Sequence, residues 1–232
     1  MPVVSLFQLD TSFPRIPGDI GSPETWRAGL DIHVVPELSV ARVINSDPGA
    51  IDMTAVETAM DRARGDILTT SCGFLCYWQN RLAARTTTPF VSSALLALPD
   101  LRTRFADDEL AILTFNADVL TSPAFAPSLD GFAGLVAGLA AQSYLYQVVA
   151  NDLPALDRQR AEDEIVRRVD GRCAAGGVRA LLLECTNLPP YKQALKARFD
   201  IEIFDILTLI DGMKANICLL YTSPSPRDQR GS

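Results

Sequence analysis

The chain has 232 residues, of which 48% are hydrophobic, and its net charge at pH 7 is −7. This length is sufficient for one large domain or two small lobes with a substantial core, and the apolar content argues against disorder. The acidic balance argues against nucleic acid as the main partner, because phosphate binding needs a basic surface.

Lysine and histidine are scarce, which argues against several kinds of catalytic site. The lysines are Lys192, Lys196 and Lys214, so a Schiff base with pyridoxal phosphate is poorly supplied. His33 is the one candidate member of a Ser–His–Asp triad or a multi-histidine metal site. No glycine-rich phosphate-binding motif is present. We therefore expect an activity that needs neither a metal nor an organic cofactor.

The first residues, MPVVSLFQLD, lack the basic and long apolar segments of a secretory signal. No apolar run reaches the roughly 18 residues that a membrane-spanning helix needs. We therefore expect a cytoplasmic protein without a membrane partner. An odd number of cysteines in such a chain indicates free thiols rather than a disulfide framework. They are Cys72, Cys76, Cys173, Cys185 and Cys218.

The first half of the chain is predicted to begin with a strand at residues 2–9. A second strand is predicted at residues 39–45, and a helix at residues 51–64, where apolar residues recur at helical spacing.

A long segment rich in proline and glycine lies at residues 11–36. Long loops in compact domains are usually functional or mobile. Asp19 and Ser22 are therefore candidate substrate contacts in this loop. The alternative is a surface loop in which Ser22 caps a short helix that begins at Pro23.

One local plan occurs twice: a buried strand, a cysteine at its carboxyl tip, a tight turn and a helix. In DILTTSCGFLCY the strand covers residues 67–70, Cys72 follows it, and Gly73 allows the turn. In LLLECTNLPPY three leucines precede Cys185, and the two prolines suit the first turn of a helix. Backbone N–H groups at a helix N-terminus stabilise a thiolate, so both cysteines are candidate reactive thiols.

Residues 109–114 are predicted to open the second lobe as a buried strand. Thr114 ends this strand and Asn116 follows it, and ligands of open α/β sheets bind at the carboxyl ends of the strands. Both are therefore candidate substrate contacts, and the alternative for Asn116 is that it caps a turn. Residues 123–138 are predicted to be a loop followed by a helix, and residues 155–173 a charged amphipathic helix.

The sequences TTSCGF around Cys72 and LLECTN around Cys185 resemble the two active-site signatures of the aspartate/glutamate racemase superfamily. The resemblance covers about residues 1–216. It implies an α/β fold of two Rossmann-like lobes, with parallel sheets flanked by helices and the active site in the interlobe cleft.

The resemblance also implies a division of the chain into lobes. The first lobe is expected at residues 1–104 and is completed by about residues 202–216, with the last strand, near residues 202–208, returning to it. The second lobe is expected at residues 105–201. At residues 217–232 the composition shifts abruptly to Ser, Pro, Arg and Gln, which indicates a non-native tail.

By resemblance, the activity is a cofactor-independent racemisation or epimerisation at the Cα of an amino acid, with Cys72 and Cys185 as acid and base on opposite faces. Backbone N–H groups after each cysteine would stabilise charge that develops on the substrate carboxylate. The candidate substrate contacts at these two turns are Gly73, Phe74, Thr186 and Asn187.

The chain departs from the glutamate racemase pattern, which leaves the substrate open among aspartate, glutamate, a hydantoin or another compound. Gly73 and Phe74 stand where Asn-Thr is typical, and Asn187 stands where histidine is frequent. Two alternatives stay open: a one-thiol decarboxylase or isomerase of the same superfamily, and a non-catalytic protein that binds a small ligand. As partners we expect a small amino-acid-like substrate and a second copy of the chain in a homodimer.

Overall fold

The structure is a computed structural model that describes residues 3–173, 177–214 and 217–218. Two four-stranded parallel sheets carry the fold, in the orders β2-β1-β3-β4 and β6-β5-β7-β8. Helices flank both sheets, which confirms the predicted two-lobed α/β architecture. The strands are β1 Val3–Leu9, β2 Gly29–Val35, β3 Ile67–Thr70, β4 Phe90–Val91, β5 Leu110–Thr114, β6 Leu135–Gly138, β7 Ala180–Leu183 and β8 Glu202–Asp205.

The helices are short, apart from α2, α8 and α10. The α-helices of the described residues are α1 Val40–Val43, α2 Thr54–Arg62, α3 Gln79–Ala83, α4 Leu98–Arg102, α5 Ala117–Leu120, α6 Ala126–Leu129, α7 Tyr144–Ala150, α8 Arg158–Cys173, α9 Lys192–Arg198 and α10 Ile206–Met213. Single 3₁₀ turns or short 3₁₀ helices cover Pro23–Thr25, Pro48–Ala50, Gly73–Trp78, Ala94–Ala97, Pro123–Phe125 and Pro189–Tyr191.

The central strands β3, β5 and β7 are buried at every position. Parallel strands covered by helices on both faces need continuous apolar runs rather than alternation, and ILTT, LAILT and ALLL meet that need with hydroxyls as the only polar groups. Both candidate cysteines follow such central strands, so two fully buried strands position them.

The second strand of the first sheet is β2, within the predicted loop, so the strand predicted at residues 39–45 is wrong. Residues 39–45 contain α1 instead, because the Ser39 side chain accepts a hydrogen bond from the Arg42 N–H at 3.4 Å and begins a helical turn. Strand β2 lies at the edge of the sheet and is partly exposed along most of its length, so its apolar signal is weak.

Two expectations for the second lobe are also wrong. Residues 135–138 form strand β6 beside β5 rather than a helix, because a run of four apolar residues is too short for its period to distinguish the two. Strand β8 pairs with β7, so it stays in the second sheet instead of returning to the first lobe.

The chain does return to the first lobe, but after β8. The Lys214 Nζ contacts Asp66 Oδ1 at 2.7 Å, and the Arg27 N–H donates to the Ile217 carbonyl at 2.8 Å. Ile217 and Cys218 are buried in this contact, while the rest of the predicted tail, residues 219–232, lies outside the described residues. The exact lobe boundaries at residues 104 and 105 stay a prediction.

Candidate active site

Cys72 and Cys185 lie at the carboxyl tips of β3 and β7 and line one cavity between the lobes. Each of the two cysteine residues is buried, with 7% of its surface exposed. The cavity measures about 20 Å³, which is room for about one water molecule. A substrate with several carbon atoms can therefore enter only if the lobes or their loops move apart.

The two thiols are held in the protonated form, contrary to the expectation that helix N-termini would lower their pKa. Burial, reinforced by the Glu184 carboxylate, raises the pKa of Cys72 to about 12 and the pKa of Cys185 well above its ordinary value. The backbone N–H groups of Phe74 and Asn187 lower the two pKa values, one each, but burial outweighs them. A thiolate formed here is consequently a strong base.

The surroundings of the two thiols differ in charge. The Arg15 guanidinium lowers the pKa of Cys72, whereas the Asp19 carboxylate raises the pKa of Cys185. These two charges therefore favour the thiolate of Cys72 and disfavour that of Cys185.

A polar chain links Cys185 to the loop after β1. The Cys185 Sγ lies 3.7 Å from Asn187 Oδ1, and the Asn187 Nδ2 donates to Asp19 Oδ2 at 2.7 Å. Asp19 Oδ1 accepts from the Gly21 N–H at 2.8 Å and from the Arg15 Nη1 at 3.2 Å. These hydrogen bonds fix the orientation of Asn187 and place the Arg15 guanidinium at the edge of the cavity.

Arg15 is positioned to meet an anion. Its Nη2 donates to Thr11 Oγ1 at 3.0 Å, and its guanidinium lies 4.3 Å from the centre of the Phe13 ring. The buried Nε has no hydrogen-bond partner among the described residues, and the side chain, 10% exposed, lines the cavity. A substrate carboxylate could take up this unused donor.

The lobes approach each other very closely at the two cysteine turns. The Thr186 hydroxyl donates to the Ser71 carbonyl at 2.6 Å across the cleft. A Cβ added to Gly73 would lie 2.0 Å from Glu184 Oε1 and 2.8 Å from the Glu184 carbonyl oxygen. Only glycine leaves space for this contact, which supplies a structural reason for the Cys-Gly sequence at the first turn.

Glu184 is fully buried and lines the same cavity. The Thr114 hydroxyl donates to its Oε2 at 2.6 Å, but its Oε1 has no hydrogen-bond partner among the described residues. Burial raises the pKa of Glu184 to about 7, and the Thr114 and Ser93 hydroxyls offset part of this rise. The Ser93 hydroxyl is nevertheless not in hydrogen-bond geometry with Oε1.

The structure brings most of the predicted site residues together at the cavity. Its lining includes both cysteines and all four residues predicted at the two turns, Gly73, Phe74, Thr186 and Asn187. Asp19 is not among the lining residues, but it accepts a hydrogen bond from Asn187, which is. The direct contacts that we predicted between these residues and a substrate stay a prediction.

Three predicted residues are not among the lining residues, and the side chains of two of them have other partners. Ser22 is buried at the start of a 3₁₀ turn with Pro23 in its first position, but its side chain makes no capping hydrogen bond. Thr114 binds Glu184, and Asn116 caps α5 by accepting from the Val119 N–H at 3.1 Å. A contact between any of the three and a substrate stays a prediction.

Sequence reasoning missed Arg15 and Glu184. Glu184 carried a usable signal, because a carboxylate directly after three leucines in a buried strand is rarely found without a partner or a role. Arg15 carried none, since a single arginine in a long loop is usually exposed.

No protein-family model matches the chain. By sequence it is similar to a dimethylsulfoniopropionate lyase of Durusdinium sp. clade D, with 26% identity over 90% of this chain and 72% of that protein. It is 30% identical to dimethylsulfoniopropionate lyase 5 of Emiliania huxleyi (strain CCMP1516) over 90% of this chain. The chain spans 44% of the length of that relative, and 60% of lyases 3 and 6 of the same alga.

By structure, the chain is similar to the allantoin racemase from Klebsiella pneumoniae, with a TM-score of 0.62 and 16% identity over 92% of this chain and 86% of that one. The glutamate racemase from Francisella tularensis subsp. tularensis SCHU S4 in complex with D-glutamate has a TM-score of 0.53 at 12% identity, over 91% and 78% of the two chains. The chain has the fold of the aspartate/glutamate racemase superfamily.

The predicted racemase-type fold is confirmed by this structural similarity. Among the described residues, no group of three or more His, Cys, Asp or Glu side chains is arranged to hold a metal ion. None of the described helices is long and apolar enough to cross a membrane.

Proposed function

We propose that the chain is a carbon–sulfur lyase that acts on dimethylsulfoniopropionate or a similar carboxylate with a sulfonium group on Cβ. The observation that carries this proposal is the cavity, where two buried thiols, a guanidinium and a carboxylate converge. The named lyases match about nine tenths of this chain at 25–30% identity, whereas the racemases share the fold at 12–16% identity.

The elimination needs only one base. In the proposed step, a cysteine thiolate takes the proton from Cα, and the electron pair of that C–H bond forms the Cα=Cβ double bond. The Cβ–S bond breaks with its pair on sulfur, which leaves as neutral dimethyl sulfide. Acrylate remains, and the thiol returns its proton to water. Because the leaving group is neutral, no acid is needed on the opposite face.

Cys72 is the proposed base, because Arg15 favours its thiolate while Asp19 disfavours that of Cys185. Burial alone would keep Cys72 protonated near neutral pH. A sulfonium group in the cavity would bring a positive charge beside the thiol and lower the free energy of its thiolate. The substrate would thus help to generate the base that attacks it.

Arg15 is the proposed contact for the substrate carboxylate, through the Nε that has no partner in the described part of the chain. Charge builds up on this carboxylate as the α-proton leaves, so a guanidinium there would stabilise the transition state as well as the bound substrate. Arg15→Lys should therefore lower kcat/KM by about 10- to 100-fold, which corresponds to the free energy of about one charge-assisted hydrogen bond.

A two-thiol racemase or epimerase is the second candidate. It is favoured by one observation, that Cys185 lines the same cavity as Cys72. The two functions differ in what each thiol must do, since racemisation needs a base on one face and an acid on the other, while elimination needs one base.

The test is to incubate the purified chain with dimethylsulfoniopropionate and to measure dimethyl sulfide in the headspace and acrylate in solution. Parallel incubations in deuterated water with aspartate, glutamate, allantoin and a substituted hydantoin report exchange at the carbon that a racemase would deprotonate. We expect equimolar dimethyl sulfide and acrylate, with no exchange in the other compounds. Exchange without dimethyl sulfide would favour the racemase.

A further inference from the structure

Glu184 has one unused carboxylate oxygen inside the candidate active site. The residue is 0% exposed, and its Oε2 is engaged by the Thr114 hydroxyl at 2.6 Å. Its Oε1 is buried beside Gly73 without a hydrogen-bond partner among the described residues, and Glu184 is one of the residues that line the cavity. A buried carboxylate oxygen without a partner is costly and uncommon, which points to a missing cationic or donor group.

Aromatic rings complete the surroundings of this carboxylate. Phe13, Phe74 and Phe115 line the same cavity, and the Phe74 ring is fixed by an edge-on contact with Phe125, with ring centres 5.4 Å apart. Ring faces attract cations, and they commonly bind quaternary ammonium groups, which have no hydrogen-bond donors to satisfy and lose their water at a lower cost than a primary ammonium group.

The lining is therefore dipolar, with the Arg15 guanidinium as its cation and the Glu184 carboxylate as its buried anion. We propose that Glu184 and the phenylalanine rings form a subsite for the onium group of a zwitterionic substrate whose carboxylate is bound by Arg15. The inference rests on the proposed function for the placement of the carboxylate, but it concerns recognition rather than chemistry. It assigns the substrate class as small carboxylates that carry a sulfonium or quaternary ammonium group on Cβ.

A primary ammonium group fits this subsite less well. It carries three N–H donors that need acceptors. The Glu184 Oε1 is one acceptor, and the rings supply none. A sulfonium or quaternary ammonium group has no donors to satisfy, so a single carboxylate and apolar rings suffice.

Two unreactive ligands of nearly the same shape provide the probe. 3-(Trimethylammonio)propionate carries an onium group, and 4,4-dimethylpentanoate replaces its nitrogen with carbon, so the second lacks only the positive charge. Dissociation constants of both are measured by calorimetry for the wild-type chain, for Glu184→Gln and for Glu24→Gln. Glu24 is exposed and lies outside the cavity, so its variant controls for the loss of one negative charge.

We expect the wild-type chain and Glu24→Gln to bind the onium ligand at least about tenfold more tightly than its neutral counterpart. Glu184→Gln should bind both ligands with affinities within about threefold of each other. An unchanged onium preference in Glu184→Gln would overturn the proposal.

The wild-type chain provides an independent measurement if the variant does not fold. Because the pKa of Glu184 is raised to about 7, its carboxylate becomes neutral as the pH falls from 8 to 5.5. The onium preference should shrink over this range, and a constant preference would overturn the proposal. Arg15 and Asp19 also face the site, and Cys72, Cys76 and Cys185 are the thiols whose pKa values respond to Glu184. The neutral ligand cancels effects that these groups exert on the common carboxylate.

The two proposals fail separately. If no dimethyl sulfide is released but the onium preference depends on Glu184, the subsite stands and the lyase activity does not. If dimethyl sulfide is released while Glu184→Gln keeps the preference, the lyase activity stands and the subsite does not.

Discussion

Replacing Glu184 with glutamine should change how the stability of the protein depends on pH. In the folded chain the pKa of Glu184 is raised from 4.5 to about 7, and the main cause is burial of its carboxylate. The folded state therefore holds this proton more tightly than the unfolded state does. The resulting contribution to stability is fully present below about pH 4.5 and is lost as the pH rises through 7.

The size of the effect follows from the difference between the two pKa values. About 2.5 pKa units correspond to roughly 3 kcal/mol of unfolding free energy, at 1.36 kcal/mol per unit. Glutamine does not titrate, so Glu184→Gln should gain about 3 kcal/mol relative to the wild-type chain between pH 4.5 and pH 8. The buried thiols do not contribute in this window, because their pKa values are raised above the ordinary cysteine value.

Urea unfolding at several pH values from 4.5 to 8, followed by circular dichroism, measures the difference. Each free energy is compared between the two proteins at the same pH, so carboxylates common to both cancel. A difference that stays constant within about 0.5 kcal/mol would show that Glu184 is not held in a strongly desolvated environment, and the description of the site would then be wrong.

The remaining predictions concern the thiols and the closest contact of the lobes. Cys72→Ala should lower the rate of dimethyl sulfide release by at least about 100-fold, as loss of a general base does, whereas Cys185→Ala should keep a measurable rate. Cys76→Ala removes a buried thiol that does not line the cavity and should stay within several-fold of the wild-type rate; equal losses in all three would indicate a folding effect. Gly73→Ala should lower the free energy of unfolding by about 1–3 kcal/mol and impair activity, because its Cβ would overlap the Glu184 carboxylate. The matched change Gly212→Ala adds a methyl group in helix α10 where nothing lies within 4 Å, and it should leave activity unchanged.

The parts of the fold that were predicted correctly have strong local signals. Strands β3, β5 and β7 are short apolar runs that end in turn-forming residues, and each pairs in the centre of a sheet. The errors fall where the signal is weak. Strand β2 is a partly exposed edge strand, and β6 is too short for its period to distinguish a strand from a helix.

The candidate site was only partly accessible to sequence reasoning. The two cysteines share a local plan that a reader of the sequence can find, and the structure places both at one cavity. The raised pKa values of the two thiols could not be predicted from the sequence, because they result from burial in the closed cleft and from the Glu184 carboxylate. Arg15 could not be selected either, since its orientation depends on Asp19 and on the ring of Phe13.

The most direct test of the account uses dimethylsulfoniopropionate carrying deuterium at one of the two prochiral positions of Cα. A single thiol base reaches only one face of the bound substrate. We predict that one labelled form yields acrylate that has lost its deuterium, while the other yields acrylate that retains it. Equal loss from both forms, or no acrylate from either, would contradict the claim that this chain is a lyase with one thiol base.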